Sequence, residues 1–254
     1  MLRFIAGFLL LFFCYHAAEY MIMQQNSIVG FLAGQGAFFL AAWLIARWQG
    51  FTGFAAWGII LKKTALRNLG AGLLLGLLVY GLYFLTSLGL HFEEIVAVPP
   101  AAVFIQSFLL FTFGTFFSSL SEDVLTRSYL YKHFSGKMSP GILLLLSSLV
   151  YVANHIYRLG DGIQVLLYLF ILGVFLMLAL MLTKNIWLTL GLHWSGNIIY
   201  QLTSNIIQTK SVNNGPGQLW LYIGFLLLLI PATYYTGKYL SALDNRSPHT
   251  GDPA

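Results

Sequence analysis

Three short strings carry the residues of this chain that could do chemistry: Glu122-Asp123-x-x-x-Arg127, Tyr151-x-x-x-His155 and His193-x-x-x-Asn197. Each lies in or against an apolar helix. Only 8% of the chain is charged, and ionisable groups at hydrocarbon depth are costly unless they meet and do something. A glutamate beside a histidine supplies a general base and a second proton-handling group, and a His/Asn pair supplies donors for an oxyanion. The same oxygen and imidazole groups also suit zinc, with Glu122, His155 and His193 as ligands. Residue types alone leave both chemistries open.

Helical spacing assigns partners within each string. Asp123 and Arg127 stand four residues apart, on one face, and can pair. Glu122 precedes Arg127 by five residues and points about 140° away from it. One acid is thereby available to neutralise the arginine while the other is left free, so Asp123 and Arg127 read as structural support. His193 and Asn197 also share one helix face. Gly136-Lys137-Met138-Ser139-Pro140 is punctuated as a tight turn. Glu122 lies 16 residues before Met138 and His155 lies 17 after it, so the two should be level neighbours, about 24 Å along their helices.

The elements that position these groups must be membrane helices. Of the 254 residues, 58% are hydrophobic and 16% aromatic, and the mean hydropathy is +0.78. Soluble domains contain about 45–50% apolar residues. The periodicity predicts an all-α, polytopic bundle of about eight helices, near 4–22, 28–46, 68–88, 101–125, 140–157, 164–182, 186–206 and 219–238. Residues 1–240 form one transmembrane unit, and the polar tail 241–254 is expected to be disordered. The first apolar run has no small-residue cleavage site after it and reads as the first helix. Residues 47–68 mix Trp48, Phe51, Phe54 and Trp57 with Lys62, Lys63 and Arg67, which suggests an interfacial helix.

Alternating sides sort the Lys and Arg residues sharply. Arg3, Arg47, Lys62, Lys63, Arg67, Arg127, Lys132, Lys137, Lys184, Lys238 and Arg246 fall on one side, and only Arg158 and Lys210 on the other. The positive-inside rule then makes both termini cytoplasmic, in a multi-pass protein of the cell membrane. The net charge of +5 is scattered and forms no basic patch interleaved with aromatics, so nucleic acid is not an expected partner. The single Cys14 offers neither an internal disulfide nor a CxxC site.

Other polar residues fit blander roles. His16 and Glu19 are spaced for a local hydrogen bond. His91, Glu93 and Glu94 fall in a connection before Pro99-Pro100, and His133 and His249 read as exposed. Asn154 is expected to face elsewhere on its helix and to bridge helices. Ser119, Ser147 and Ser195 lack Asp and His partners at a recognisable spacing, which disfavours a serine protease.

The ordered strings resemble the CPBP intramembrane proteases, the CAAX-protease and bacteriocin-processing or Abi family. That family carries Glu-Glu-x-x-x-Arg, then Phe-x-x-x-His, then His-x-x-x-Asn/Asp, and the resemblance covers about residues 100–205. It implies a membrane bundle that hydrolyses peptide bonds of membrane-associated or lipidated peptides. It further implies Glu122 as the glutamate that activates water, His155 as its assistant, His193 and Asn197 as oxyanion donors, and Arg127 as structural. Members are often labelled metalloproteases, but the metal-free, glutamate-dependent mechanism is the reading adopted here, with zinc as the alternative cofactor. The sequence departs from the pattern at Asp123, at Thr126 and Ser128 in place of Phe and Gly, and at Tyr151.

An endopeptidase acting on peptide or protein substrates among membrane lipids is therefore expected. The alternatives are a catalytically silent scaffold or bacteriocin-immunity protein, and a proton-coupled transporter with Glu122 and His155 as a relay. The sequence shows no pair of interrupted half-helices in matching repeats of the kind that favours transport.

Overall fold

The computed structural model describes residues 1–212 and 215–246. Among them, eight helical rods follow one another with short connections. Helices α1 (Leu2–Met23) and α2 (Ile28–Trp48) form a hairpin, followed by α3 (Lys63–Gly89). The fourth rod is α4 (Ala101–Asp123), continued through a π-helical turn (Val124–Ser128) into α5 (Tyr129–Phe134). Then come α6 (Pro140–Asn154), α7 (Ile163–Thr183), α8 (Trp187–Gln201) and α9 (Gly217–Arg246). The fold is an all-α bundle of a multi-pass membrane protein. Among the described residues, six helices are long and apolar enough to cross a bilayer.

Helix ends follow local chemistry. Ser27 caps α2 by accepting from Gly30 N at 3.0 Å, and Ser139 caps α6, which begins at Pro140. An N-cap hydroxyl satisfies an orphan amide, and proline at the first helical position loses no bond.

Two of the rods differ from the expected crossings. Helices α6 and α8 have 15 residues each, about 22 Å at 1.5 Å per residue, which is short of a bilayer core of about 30 Å. The chain leaves α6 at His155, whose N–H bonds to Val152 O at 3.1 Å, and continues as a single 3-10 turn, Ile156–Arg158. A π-helical turn, Leu202–Ile206, extends α8. By contrast the fourth rod has 34 residues, about 51 Å, and so outreaches a bilayer core unless strongly tilted.

The segment between α2 and α3 is not an interfacial helix. Gly50, Gly53 and Gly58 adopt positive φ and break it into turns around a 3-10 helix, Gly53–Trp57. Trp57 is fully buried rather than laid on a leaflet. Its Nε1 donates to Ala42 O at 2.9 Å, and its ring lies 5.2 Å from that of Tyr129. His133 joins this aromatic group, with Phe4, Phe51 and Tyr129 around it, and is not the exposed residue that was expected.

At the opposite end, β1 (Glu93–Ala97) pairs antiparallel with β2 (Gln208–Ser211), Glu93 opposite Ser211 and Glu94 opposite Lys210. Glu94 and Lys210 form an ion pair at 2.5 Å. The connection holding Glu93 and Glu94 is therefore a strand, clipping the α3–α4 link to the α8–α9 link. Helix α9 runs on to Arg246, past the boundary expected at 240, with Arg67 paired to Asp244. Residues 247–254, including His249, lie outside the described residues.

The contact that matters most for the site is α3 against α8. A Cβ on Gly191 would stand 2.4 Å from Leu69 O, and one on Gly72 would stand 2.5 Å from Leu188 O. The two backbones approach closely because neither position carries a side chain. This fixes α8, and with it His193 and Asn197, against the rest of the bundle.

Candidate active site

Glu122 sits two residues before the π-helical segment of the fourth rod and is 5% exposed. Three side chains from two other helices converge on its carboxylate. Asn154, the last residue of α6, donates Nδ2–H to Oε1 at 3.0 Å. His155 Nδ1 lies 3.7 Å from the same oxygen, and His193 Nε2 of α8 lies 3.3 Å from Oε2. Glu122 and His155 are thus the level neighbours that their equal distance from the Gly136–Pro140 turn predicts.

The adjacent acid has a different environment. Asp123 Oδ1 accepts from Arg127 at 2.5 Å and lies 3.0 Å from His193 Nδ1. Asp123 and Arg127 are both fully buried. Arg127 also donates to Thr126 Oγ1 at 3.0 Å, and its guanidinium carbon stands 4.2 Å from the centre of the Tyr151 ring. A buried charge requires a partner, and here carboxylate, hydroxyl and aromatic face supply it. His193 consequently bridges the two acids, one ring nitrogen to each.

The π-helical turn sets this geometry. Such single turns widen a helix locally and recur at functional sites. Thr126 Oγ1 bonds back to Glu122 O at 2.8 Å, and Ser147 of α6 donates to Thr126 O at 2.8 Å. The second of these bonds ties α6 to the rod beside Glu122. Asn197 projects from the same face of α8 as His193, and its Nδ2 donates to Ser119 Oγ at 2.9 Å. All six side chains singled out in the sequence, Glu122, Asp123, Arg127, His155, His193 and Asn197, belong to one cluster.

A cavity of about 570 Å³ opens onto this cluster. His155, His193 and Asn197 line its floor, and Tyr80, Tyr168 and Tyr222 its walls. It occupies the space above the truncated end of α6 and reaches toward the strand-bearing end of the bundle, where Glu93 and Arg158 border it. Glu93 accepts a hydrogen bond from Gln218, and burial pushes its carboxyl up from the ordinary carboxylate range. The Tyr80 hydroxyl is buried with no hydrogen-bond partner among the described residues. Next to Asn197, Gly196 leaves room for that phenol: a Cβ there would stand 3.1 Å from its oxygen.

Among the described residues no three His, Cys, Asp or Glu groups are arranged to hold a metal ion. Of the alternative ligands, His155 turns Nδ1 to Tyr151 O at 2.9 Å, and both nitrogens of His193 face carboxylates. Glu122 Oε1 is engaged by an amide.

Comparison with known proteins addresses the same stretch of chain. Residues 104–199 match the family model Type II CAAX prenyl endopeptidase Rce1-like. This is the CAAX-protease family that the ordered motifs resemble. The matched segment holds every residue of the cluster and stops two residues after Asn197. No curated protein and no solved structure matches the chain.

Asn154 is the member that sequence reasoning placed elsewhere. It does bridge helices, as expected, but the helix it reaches is α4 and the atom it reaches is on Glu122. Its position next to His155 was the available signal, and an ideal helical turn of about 100° between neighbours argued against it. The helix ends between the two residues, so that both can face the same carboxylate.

Proposed function

We propose that the protein is an intramembrane endopeptidase in which Glu122 activates water against a peptide carbonyl held in the 570 Å³ cavity. The observation that carries this reading is the buried Glu122 carboxylate, held by Asn154 and faced by His155 and His193 beside a cavity that both histidines and Asn197 line. The match to CAAX prenyl endopeptidases supports peptide substrates in a membrane setting.

In this reading water stands between Glu122 and the scissile carbonyl. Glu122 takes a proton as the water oxygen bonds to the carbonyl carbon, and the C=O electron pair moves to oxygen. His193 turns Nδ1 to Asp123 and its Nε2 edge to Glu122, which places that edge beside the growing oxyanion. Asn197 has two amide hydrogens, of which Ser119 takes one and the other is available to the oxyanion. Preorganised donors of this kind contribute a large share of catalysis in a dry site. Collapse breaks the C–N bond, and the proton held by Glu122, with His155 assisting, passes to the leaving amine.

Asp123 and Arg127 act through His193 by fixing its ring. Lipidated peptides fit a site bounded by apolar helices, and the basic end of the bundle faces the cytoplasm together with both termini. The test is to compare the membrane peptidome of cells carrying the wild-type protein with that of cells carrying Glu122→Gln. Peptides present only with the wild type identify products. Identical peptidomes, with both proteins folded and equally abundant, overturn the reading.

A further inference from the structure

A second cavity, of about 290 Å³, lies at the basic end of the bundle, away from the cluster around Glu122. It is enclosed by the 3-10 turn before Gly58, by the π-helical turn and α5, and by the last turn of α7. Lys132 and Lys184 both border it. Among the described residues neither lysine has a carboxylate within ion-pair distance, although the bundle pairs other cations, such as Arg67 and Lys210, with acids. Lys132 rests its ammonium 4.7 Å from the centre of the Phe51 ring, which steadies the stem. Lys184 caps α7 in the left-handed conformation, φ 54°, unusual for a residue with a Cβ.

The third group is what makes the cavity more than a basic patch. Ser128, 2% exposed, borders the same space, and its hydroxyl has no hydrogen-bond partner among the described residues. A buried hydroxyl left unbonded is unfavourable unless a ligand completes it. Ser135 and Tyr131 add further hydroxyls at the rim, and among the described residues no acidic one borders the cavity. Two cations bordering a space of this size, with an unbonded hydroxyl buried against it and a χ1 turn from reaching it, match the charge of a phosphate group. Basic pockets between membrane helices at the positively charged face are suited to anionic lipid headgroups.

We infer that this cavity binds a phosphate group, either the headgroup of an anionic lipid or free phosphate, through Lys132, Lys184 and Ser128. The inference stands apart from the peptidase reading, since no residue of the cluster around Glu122 takes part. Occupancy should stabilise the fold, because a ligand that binds only the folded state raises its melting temperature, and this one would tie α5, α7 and the 3-10 turn together.

The experiment is thermal unfolding of the full-length protein in a neutral detergent, titrated with phosphatidylglycerol, inorganic phosphate or diacylglycerol. A saturable rise in melting temperature with phosphatidylglycerol alone identifies a lipid headgroup, and a rise with inorganic phosphate shows that the free anion suffices. Lys132→Gln with Lys184→Gln should raise the half-saturating concentration about 30-fold, each lysine near an anionic surface being worth roughly a factor of five. Ser128→Ala should weaken binding in the same direction, and Lys62→Gln with Lys63→Gln, exposed at the same end but outside the cavity, should leave it unchanged. The inference is overturned if neither phosphate-bearing probe gives a saturable shift. It is equally overturned if diacylglycerol gives the same shift, or if both pairs of lysine substitutions weaken binding alike.

Discussion

Asn154 and Glu122 are 32 residues apart on different helices, yet the amide of one donates to the carboxylate of the other at 3.0 Å inside the bundle. Asn154 does not line the substrate-sized cavity; it holds Glu122 from behind while His155 and His193 approach from the open side. That makes it a positioning residue. Asn154→Leu should lower kcat by about 10- to 100-fold with KM little changed, because the lost bond is to the base and not to substrate. Asn154→Gln, with its amide one methylene too far out, should recover little. A rise in KM at constant kcat would assign Asn154 to substrate binding.

Glu122→Gln keeps the size of the side chain and removes the base. Peptidase turnover should fall by at least about 100-fold, loss of a general base costing typically 10²–10⁴. The purified variant should elute from a sizing column as the wild type does. Full turnover by a well-folded Glu122→Gln protein would end the glutamate-base mechanism.

Arg127→Ala is expected to act on stability. It leaves Asp123 buried with His193 as its remaining partner, and breaking a buried pair costs about 3–5 kcal/mol in soluble hosts. Thermal unfolding in detergent should show a marked drop in midpoint and a lower folded yield. Normal stability combined with lost activity would instead mean that Arg127 contacts substrate.

The α3–α8 contact can be probed without touching a polar group. In Gly191→Ala the new methyl would meet the carbonyl of Leu69 at 2.4 Å, and backbone cannot swing aside as a flexible side chain can. Overpacking of this kind costs typically 1–3 kcal/mol. The helices must separate, so His193 should shift relative to Glu122, and the melting temperature and kcat should fall together. Gly70→Ala, on the same helix as Gly72 but with nothing within 4 Å of its Cβ position, serves as the silent control.

Metal dependence divides two further outcomes. Under the reading adopted here, protein treated with a strong chelator keeps its rate, and Asn197→Ala loses about 10²–10³ in kcat, the usual cost of one oxyanion donor. Stoichiometric zinc in the purified protein, activity restored only by zinc, and a near-normal Asn197→Ala rate would together establish the zinc alternative.

Much of this was legible in the sequence because it depends on short-range periodicity. Composition and apolar run length fix a membrane bundle, since hydrocarbon accepts backbone only when it is internally hydrogen-bonded. The spacing of Asp123 and Arg127 fixes their pairing, as α-helical geometry places residues four apart on one face. Equal distance from a turn brings Glu122 level with His155, because antiparallel neighbours rise at the same rate per residue.

What the tertiary structure alone decided lies where regular helix stops. The π-helical turn below Glu122 and the early end of α6 rotate side chains away from the angles an ideal helix gives them, so Asn154 reaches Glu122 and His193 comes to bridge two acids. The cavity exists because α6 is short and because Gly72 and Gly191 let α3 and α8 close beneath it, while Trp57 folds inward because glycines at positive φ break the segment that would otherwise lie on the membrane. A sequence specifies such features only through contacts between residues far apart in the chain. Periodicity, which relates near neighbours, carries no record of them.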